Sequence, residues 1–203
     1  MTKQEETTLK TSHSKLKLFF APNSPFARKC RIVVIEKGLQ DGVELVESQP
    51  PHESAALLAA NPLARIPALV LANGDVLCES PVICEYLDSL SEENPLVPRD
   101  RKSRIDVLAV SALGSGIMDS AVAIVLEKRR PQDKQYDLWI KRNEEAISRT
   151  ITMLAKLNLD KNSGWNIGTI NVAVALAYVS FRMSHLEWRD EHKKLAQWLD
   201  FVN

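Results

Sequence analysis

The sequence lacks a net charge. Its 203 residues include 26 Lys and Arg and 26 Asp and Glu, so the formal net charge at pH 7 is zero. Proteins that bind nucleic acids usually carry a basic excess, and we therefore predict no nucleic-acid partner. The sequence also has no uninterrupted run of the ~18 apolar residues that a membrane-spanning helix needs. We therefore predict no membrane partner.

Cysteine is scarce as well. Cys30, Cys78 and Cys84 form no Cys-x-x-Cys pair, and their number is odd. Such a set favours a reducing compartment, so we predict a cytoplasmic protein. The histidines show no zinc-ligand spacing with these cysteines, and we predict no metal. The polar residues 1–14 lack the apolar stretch of a secretory signal and are predicted to be a flexible leader.

Residues 15–90 show alternating strand and helix patterns. Apolar side chains at every second position in 15–21 predict a strand. Ser24-Pro25 and Ser80-Pro81 are typical helix starts, with serine as the cap and proline in the first turn. Asn73-Gly74 between two β-rich runs predicts a hairpin. The element order β-α-β-α-β-β-α predicts an α/β domain with a mixed four-stranded sheet.

Residues 91–102 are rich in proline and charge and are predicted to be a linker. Helical patterns alone follow, over 103–128, 133–158, 166–183 and 188–202. The third of these is apolar on nearly every face, as expected for the central helix of a bundle. We therefore predict two domains, an α/β domain over 15–90 and an all-α helical bundle over 103–203.

Five segments carry a resemblance to a known family. They are Ser24-Pro25-Phe26, Asn61 to Pro67, Cys78-Glu79-Ser80, Asn166 to Ile170 and Leu195 to Trp198. In this order and spacing they resemble the cytosolic glutathione S-transferases of the bacterial type, with serine at the thiol site. The resemblance implies a thioredoxin-like N-terminal domain and an all-helical C-terminal domain. Three positions depart from the family pattern: Ala64 stands where glycine is common, and Asn166 and Thr169 stand where a helix capping box usually pairs serine or threonine with aspartate.

Ser24 is the residue that the resemblance places at the thiol of glutathione. Helix N-termini favour thiolates through their free N–H groups and the helix dipole, and the Ser24 hydroxyl would donate a further hydrogen bond to the sulfur. The residues alone leave two alternatives open: Ser24 could simply cap the helix, and Asn23 could supply the hydrogen bond. Glutaredoxins have cysteines where this chain has Ser24 and Ala27, so disulfide reductase chemistry is disfavoured.

The resemblance also implies how the rest of glutathione is held. It implies a cis bond between Ile66 and Pro67, with the Ile66 backbone pairing with the tripeptide as an added strand would. Ser80 at a helix N-terminus suits the γ-glutamyl carboxylate, and Glu79 suits the neighbouring ammonium. Both residues could instead be plain helix-capping residues.

Two further parts of the site are the donor for the glycyl carboxylate and the pocket for the second substrate. The glycyl carboxylate needs a donor, and either Arg65 or His52 could supply it. Family geometry puts the pocket for the second substrate between the two domains, lined by Pro22, Met118 and Asp119.

With glutathione as co-substrate, the sequence predicts an enzyme that conjugates its thiolate to a hydrophobic electrophile in detoxification, or one that reduces a peroxide with it. The resemblance further implies a homodimer. The alternative is a binding or regulatory protein that keeps the fold and has lost turnover.

Overall fold

The first half of the chain contains four strands and three α-helices in the predicted order. The computed structural model describes residues 15–48 and 54–202. The elements are β1 (Leu16–Phe20), α1 (Pro25–Glu36), β2 (Val43–Glu47), α2 (Ala55–Ala60), β3 (Ala68–Val70), β4 (Val76–Cys78) and α3 (Ser80–Ser89). Serine side chains cap α1 and α2, since Ser24 accepts a hydrogen bond from the Ala27 N–H and Ser54 from the Leu57 N–H.

The four strands form one mixed sheet in the order β2-β1-β3-β4. β1 pairs in parallel with β2 and antiparallel with β3, and β3 pairs antiparallel with β4. The predicted mixed four-stranded sheet is thereby confirmed. The connection between β3 and β4 covers residues 71–75 and is longer than a two-residue Asn73-Gly74 turn. Gly74 has a φ of +89° there, a conformation that favours glycine.

The second half of the described chain is helical. Its elements are α4 (Arg101–Glu127), α5 (Asp137–Ala155), α6 (Ile167–Arg182), α7 (Trp188–Glu191) and α8 (Lys193–Val202). The single helix predicted over 188–202 is wrong, because the chain breaks at His192, whose φ of −127° and ψ of 58° are not helical. The predicted start at 133 is also wrong, because residues 132–134 form a separate 3-10 turn before α5 and Gln135 is extended.

α6 is the central helix of the second half, as its sequence predicts. Its capping box is complete: the Asn166 side chain accepts hydrogen bonds from the Gly168 and Thr169 N–H groups, and the Thr169 hydroxyl accepts one from the Asn166 N–H. Asparagine and threonine therefore replace the usual pair without loss of the motif. α6 also packs closely on α4, since a methyl group at Gly114 would lie 2.8 Å from the Asn171 carbonyl carbon.

α4 combines a buried face with a large exposed apolar face. Among the described helices, α4 is the one that is long and apolar enough to cross a membrane by length and composition. Within the protein, 28% of its apolar stretch is buried. Its buried residues include Ile117, Met118 and Ile124, and the helix packs on α5 and α6. Core helices of folded proteins have the same composition, so this finding identifies no membrane contact. The absence of a membrane partner stays a prediction.

A buried ion pair joins the end of α1 to the end of α3. The Lys37 ammonium lies 3.1 Å from the Asp88 carboxylate, and the two side chains are 1% and 10% exposed. The same ammonium donates hydrogen bonds to the backbone carbonyls of Ser91, Glu93 and Asn94. The segment that leaves α3 is therefore tied to the C-terminal end of α1.

Asp88 extends this network toward α6. Its carboxylate accepts hydrogen bonds from the Leu96 and Val97 N–H groups. The Leu96 carbonyl in turn accepts a bond from the Ile167 N–H at the first residue of α6. One buried pair thus orders the connection between the two halves and the start of the central helix. Sequence reasoning did not single out either Lys37 or Asp88.

Lys37→Met is expected to lower the free energy of unfolding by about 3–5 kcal/mol, because it leaves the Asp88 carboxylate buried without its cation. Lys17→Met is the matched control, since it breaks the exposed Lys17–Glu44 pair, and exposed pairs contribute about 1 kcal/mol or less. Urea denaturation followed by circular dichroism measures both losses. Equal losses would contradict the role given to the buried pair.

Candidate functional site

The strand register brings three predicted segments to one edge of the sheet. Phe19 pairs with Ala68, and Ala68 pairs with Cys78. The chain therefore leaves β1, enters β3 and leaves β4 at the same edge. The segments at this edge are the turn at Ser24, the Ile66–Pro67 peptide and Glu79-Ser80.

Ser24 caps the N-terminus of α1 at this edge. Its hydroxyl oxygen accepts a hydrogen bond from the Ala27 N–H at 3.2 Å, and Pro25 follows in the first turn. A serine hydroxyl that accepts one bond still has its own hydrogen to donate. Capping the helix and donating to a ligand are therefore compatible roles for Ser24. Asn23 is exposed beside it.

The turn before β3 is organised by Asn61, to which sequence reasoning gave no separate role. Asn61 is 1% exposed. Its amide nitrogen donates to the Arg65 carbonyl, and its amide oxygen accepts from the Leu63 N–H. Ala64 in this turn has a φ of +53°, the left-handed region, which accounts for the glycine that is common at this position. The Ile66–Pro67 peptide bond is cis, as the resemblance implies.

Glu79 and Ser80 lie where β4 passes into α3. The expected serine cap is wrong by one residue, because Ser80 is already the first helical residue and Glu79 holds the cap position. Glu79 has a φ of +67° and makes no side-chain capping bond. Its side chain is exposed, whereas Ser80 is 3% exposed. The positive end of the α3 dipole therefore lies at the same edge as the α1 N-terminus.

α4 brings Asp119 within electrostatic reach of this edge. Burial raises the pKa of the Asp119 carboxyl above its ordinary value, while Lys29 of α1 lowers it and Glu79 raises it. The Asp119 carboxylate, in the helical half, therefore interacts electrostatically with Lys29 of α1 and with Glu79 before α3. Asp119 is one of the residues expected to line the pocket for a second substrate between the halves.

The remaining predicted site residues occupy different environments. Pro22 and Arg65 are exposed, and Pro67 is buried. Met118 is 0% exposed and belongs to the hydrophobic core, so its side chain lies beneath the protein surface. His52 lies outside the described residues.

The cysteines near this edge are poorly reactive thiols. The Cys30 and Cys84 sulfurs lie 3.7 Å apart, and the Cys30 sulfur lies 3.8 Å from the Ser80 carbonyl oxygen. Burial raises the pKa of the Cys30 thiol well above its ordinary value; Cys84 adds to this shift and Lys29 opposes it. A raised pKa keeps the thiol protonated and weakly nucleophilic. Cys30 therefore packs as a small apolar residue.

The described residues at this edge include no cluster of side chains that could hold a metal ion. Residues 15–48 and 54–202 contain no group of three or more His, Cys, Asp or Glu side chains that could hold a metal ion. Cavities of about 220 and 200 Å³ lie elsewhere, one between α5 and the start of α7 and the other between α1, α6 and the end of α8. The candidate site is therefore defined by the chemistry of its residues.

Matches to known proteins cover most of the chain. Residues 23–90 match the family model of the glutathione S-transferase N-terminal domain. The chain is 32% identical over 176 residues to the uncharacterized GST-like protein YibF of Escherichia coli K12, a match that covers 85% of this chain and 86% of YibF. The chain belongs to the glutathione S-transferase family.

Solved structures of glutathione transferases have the same fold. A family member from Pseudomonas fluorescens Pf-5 with bound glutathione matches with a TM-score of 0.88 at 40% identity, over 93% of this chain and 94% of that one. A Pf-5 complex with S-(propanoic acid)-glutathione matches with a TM-score of 0.84 at 38% identity, over 92% and 93%. The first half of this glutathione S-transferase family member is thus a thioredoxin-like domain with a mixed four-stranded sheet, and a helical domain follows it.

Proposed function

We propose that this chain is a cytoplasmic glutathione transferase that joins the thiolate of glutathione to a hydrophobic electrophile in detoxification. The observation that carries the proposal is the strand register, by which Ser24, Ile66–Pro67 and Glu79-Ser80 meet at one sheet edge. The Pf-5 structures support it, because they contain glutathione and S-(propanoic acid)-glutathione. The second of these ligands is a glutathione thioether, the class of product that such a reaction yields.

The proposed reaction needs glutathione as its thiolate, because a free thiol with a pKa of about 8.5 is mostly protonated at neutral pH. The Ser24 hydroxyl donates a hydrogen bond to the sulfur, and the N-terminus of α1 adds its N–H groups and dipole. Lowering the thiol pKa by two units requires about 2.7 kcal/mol, which a charge-assisted hydrogen bond and a helix terminus together can supply. The sulfur then forms a bond to an electrophilic carbon, and the displaced group, such as the chloride of a chloronitrobenzene, leaves with the electron pair of the bond that breaks. Asn23 is the alternative donor.

The other groups at the edge are proposed to hold the tripeptide. The backbone of Ile66, beside Pro67, pairs with the extended ligand. Glu79 binds the γ-glutamyl ammonium, since its exposed carboxylate is not used in capping α3. Ser80 and the α3 N-terminus bind the γ-glutamyl carboxylate.

The outer parts of the proposed site are supplied by the turn before β3 and by the cleft. Arg65 is exposed and is available to the glycyl carboxylate, with His52 as the other candidate donor. Pro22 and Asp119 line the second-substrate pocket, and Met118 supports it from the core. Reduction of a peroxide would use the same thiolate, and a binding or regulatory protein would retain glutathione affinity without turnover.

We also propose a homodimer that forms through α3 and α4. The Arg104–Glu85 ion pair, at 2.7 Å, joins these helices at the surface. Apolar side chains on both are exposed, Val82 by 50% and Ile105 by 61%. Exposed apolar patches of this kind mark interaction surfaces.

The predicted domain division stays part of the proposal. It comprises a glutathione-binding domain over 15–90, a linker over 91–102 and a helical domain over 103–203. The predicted leader, 1–14, lies outside the described residues.

Glu79→Gln is expected to weaken glutathione binding by roughly ten- to hundredfold, because a neutral amide loses a charged hydrogen bond to the ligand ammonium. Glu145→Gln, on the exposed side of α5, and the buried Cys30→Ala should bind as the parent does. Isothermal titration calorimetry compares the four proteins. Parent-like binding by Glu79→Gln would remove Glu79 from the site, and a parent that does not bind would refute the proposed function.

Ser24→Ala is expected to keep glutathione affinity and to lower turnover by roughly ten- to hundredfold, since a hydrogen bond to a charged group contributes about 1.5–3 kcal/mol. Ser54→Ala is the control, because it removes the equivalent cap of α2 away from the thiol. The measurement is a pH–rate profile with a chloronitrobenzene acceptor. An unchanged profile for Ser24→Ala would transfer the role to Asn23 or to the backbone N–H groups.

Ile105→Glu is expected to produce a monomer, because it introduces a charge into the proposed apolar interface. Ile35→Glu is the matched control, since Ile35 is similarly exposed, at 58%, but lies on α1. Analytical ultracentrifugation of the parent and both variants measures the oligomeric state. A monomeric parent, or a dimeric Ile105→Glu, would contradict this interface.

A further inference from the structure

Lys29 is a buried cation that the proposed mechanism leaves without a role. It lies in α1, five residues after Ser24 in the sequence, and it is 2% exposed. Among the described residues it makes no hydrogen bond and no direct ion pair, in contrast to Lys37 at the end of the same helix. Burial of an ammonium without a partner carries a large free-energy cost.

The position of Lys29 directs its charge toward the candidate site. Long side chains on a helix lie back over the preceding turn, toward the helix N-terminus, which in α1 is the end that Ser24 caps. The charge of Lys29 acts on the Cys30 thiol and on the Asp119 carboxyl across the cleft. Fully enclosed side-chain polar atoms without partners in the described chain belong to other residues, namely Ser48, Asn171 and Arg182. The Lys29 nitrogen is not among them, so the small exposed part of this buried side chain includes its ammonium.

The titratable groups near Lys29 come from three elements. α1 contributes the Cys30 thiol, α3 contributes the Cys84 thiol with Glu79 just before the helix, and α4 contributes Asp119. α6 packs on α1 but has Arg182, at its far end, as its one charged residue. In the proposed complex Glu79 is occupied by the ligand ammonium. Asp119 is then the carboxylate that still interacts electrostatically with Lys29.

Lys29 is the fifth residue of α1 and lies in the half of the helix nearer to Ser24. The helix dipole stabilises a cation in the last turn, where Lys37 lies, and gives Lys29 no such stabilisation. A ligand that carries a negative charge to this site would compensate the positive charge of Lys29. We propose that Lys29 supplies the positive charge that, together with the Ser24 hydroxyl and the α1 N-terminus, stabilises the thiolate of bound glutathione. This inference rests on the proposed function.

Asp119 has the opposite effect in this arrangement. Its carboxylate lies across the cleft on α4, and it repels a thiolate that Lys29 attracts. The two residues therefore set the thiolate fraction between them. Substitutions that neutralise them must change that fraction in opposite directions, a result that a purely structural role for Lys29 does not produce.

Lys29→Met tests the inference, because it removes the charge and retains most of the volume. Lys29 makes no direct ion pair among the described residues, so its replacement leaves no carboxylate buried without its cation, and the variant is expected to fold. The ultraviolet absorbance of the thiolate is followed against pH with glutathione bound. The apparent pKa of the bound thiol should rise by about one unit, a tenfold loss of thiolate at pH values below it. Lys29→Arg should stay close to the parent, and Asp119→Asn should lower the thiol pKa.

The affinity for glutathione and the melting temperature of the variants distinguish a failure of this inference from a failure of the proposed function. Calorimetry at a pH where glutathione is a thiol should give an affinity for Lys29→Met within about twofold of the parent, since thiol binding does not use the charge. Lys141→Met, an exposed change on α5, should alter neither property.

An unchanged thiol pKa in Lys29→Met, with parent-like affinity, would overturn the inference and leave the proposed function standing. A lower melting temperature with an unchanged thiol pKa would overturn it equally and make Lys29 a structural residue. A parent that does not bind glutathione would overturn the proposed function and this inference with it.

Discussion

The arrangement of the two halves depends on the buried pair between Lys37 and Asp88. The lysine is at the C-terminal end of α1, where the helix dipole favours a cation, and three backbone carbonyls accept hydrogen bonds from it. The Asp88 carboxylate accepts a hydrogen bond from the Leu96 N–H, and the Leu96 carbonyl accepts one from the N–H of Ile167, the first residue of α6. Because both ions are buried and hydrogen-bonded, they fix the connection to the start of α6, which packs on α1.

That geometry explains why the candidate site can be shared between the halves. In the proposed site, Ser24, Ile66 and Glu79 come together at one edge of the sheet, and Asp119 of α4 interacts electrostatically with Glu79. The strand register alone brings Ser24, Ile66 and Glu79 together, but it does not place Asp119 near them. A rigid connection between the halves is therefore a condition for a cleft in which a second substrate could meet the sulfur.

The two buried lysines of α1 illustrate how the same residue type takes different roles. Lys37 has a carboxylate, three carbonyls and a favourable dipole around it, so its charge is compensated within the protein. Lys29 lies nearer the opposite end of the helix, and the described residues give it no direct partner. A buried charge without a partner raises the free energy of the protein, and an anionic ligand that binds beside it lowers that cost.

The sequence by itself determined the element order, the mixed sheet, the central position of α6 and most of the segments at the sheet edge. These depend on local features such as the cap at Ser24, the hydrophobic periodicity and the Asn166–Thr169 box, which neighbours in the chain dictate. Tertiary structure alone decided that Met118 is in the core, that Asn61 organises the turn before Pro67, and that two lysines are buried. The burial of a charge and the meeting of distant strand ends depend on long-range packing, and no local pattern records whether a lysine will find a carboxylate fifty residues away.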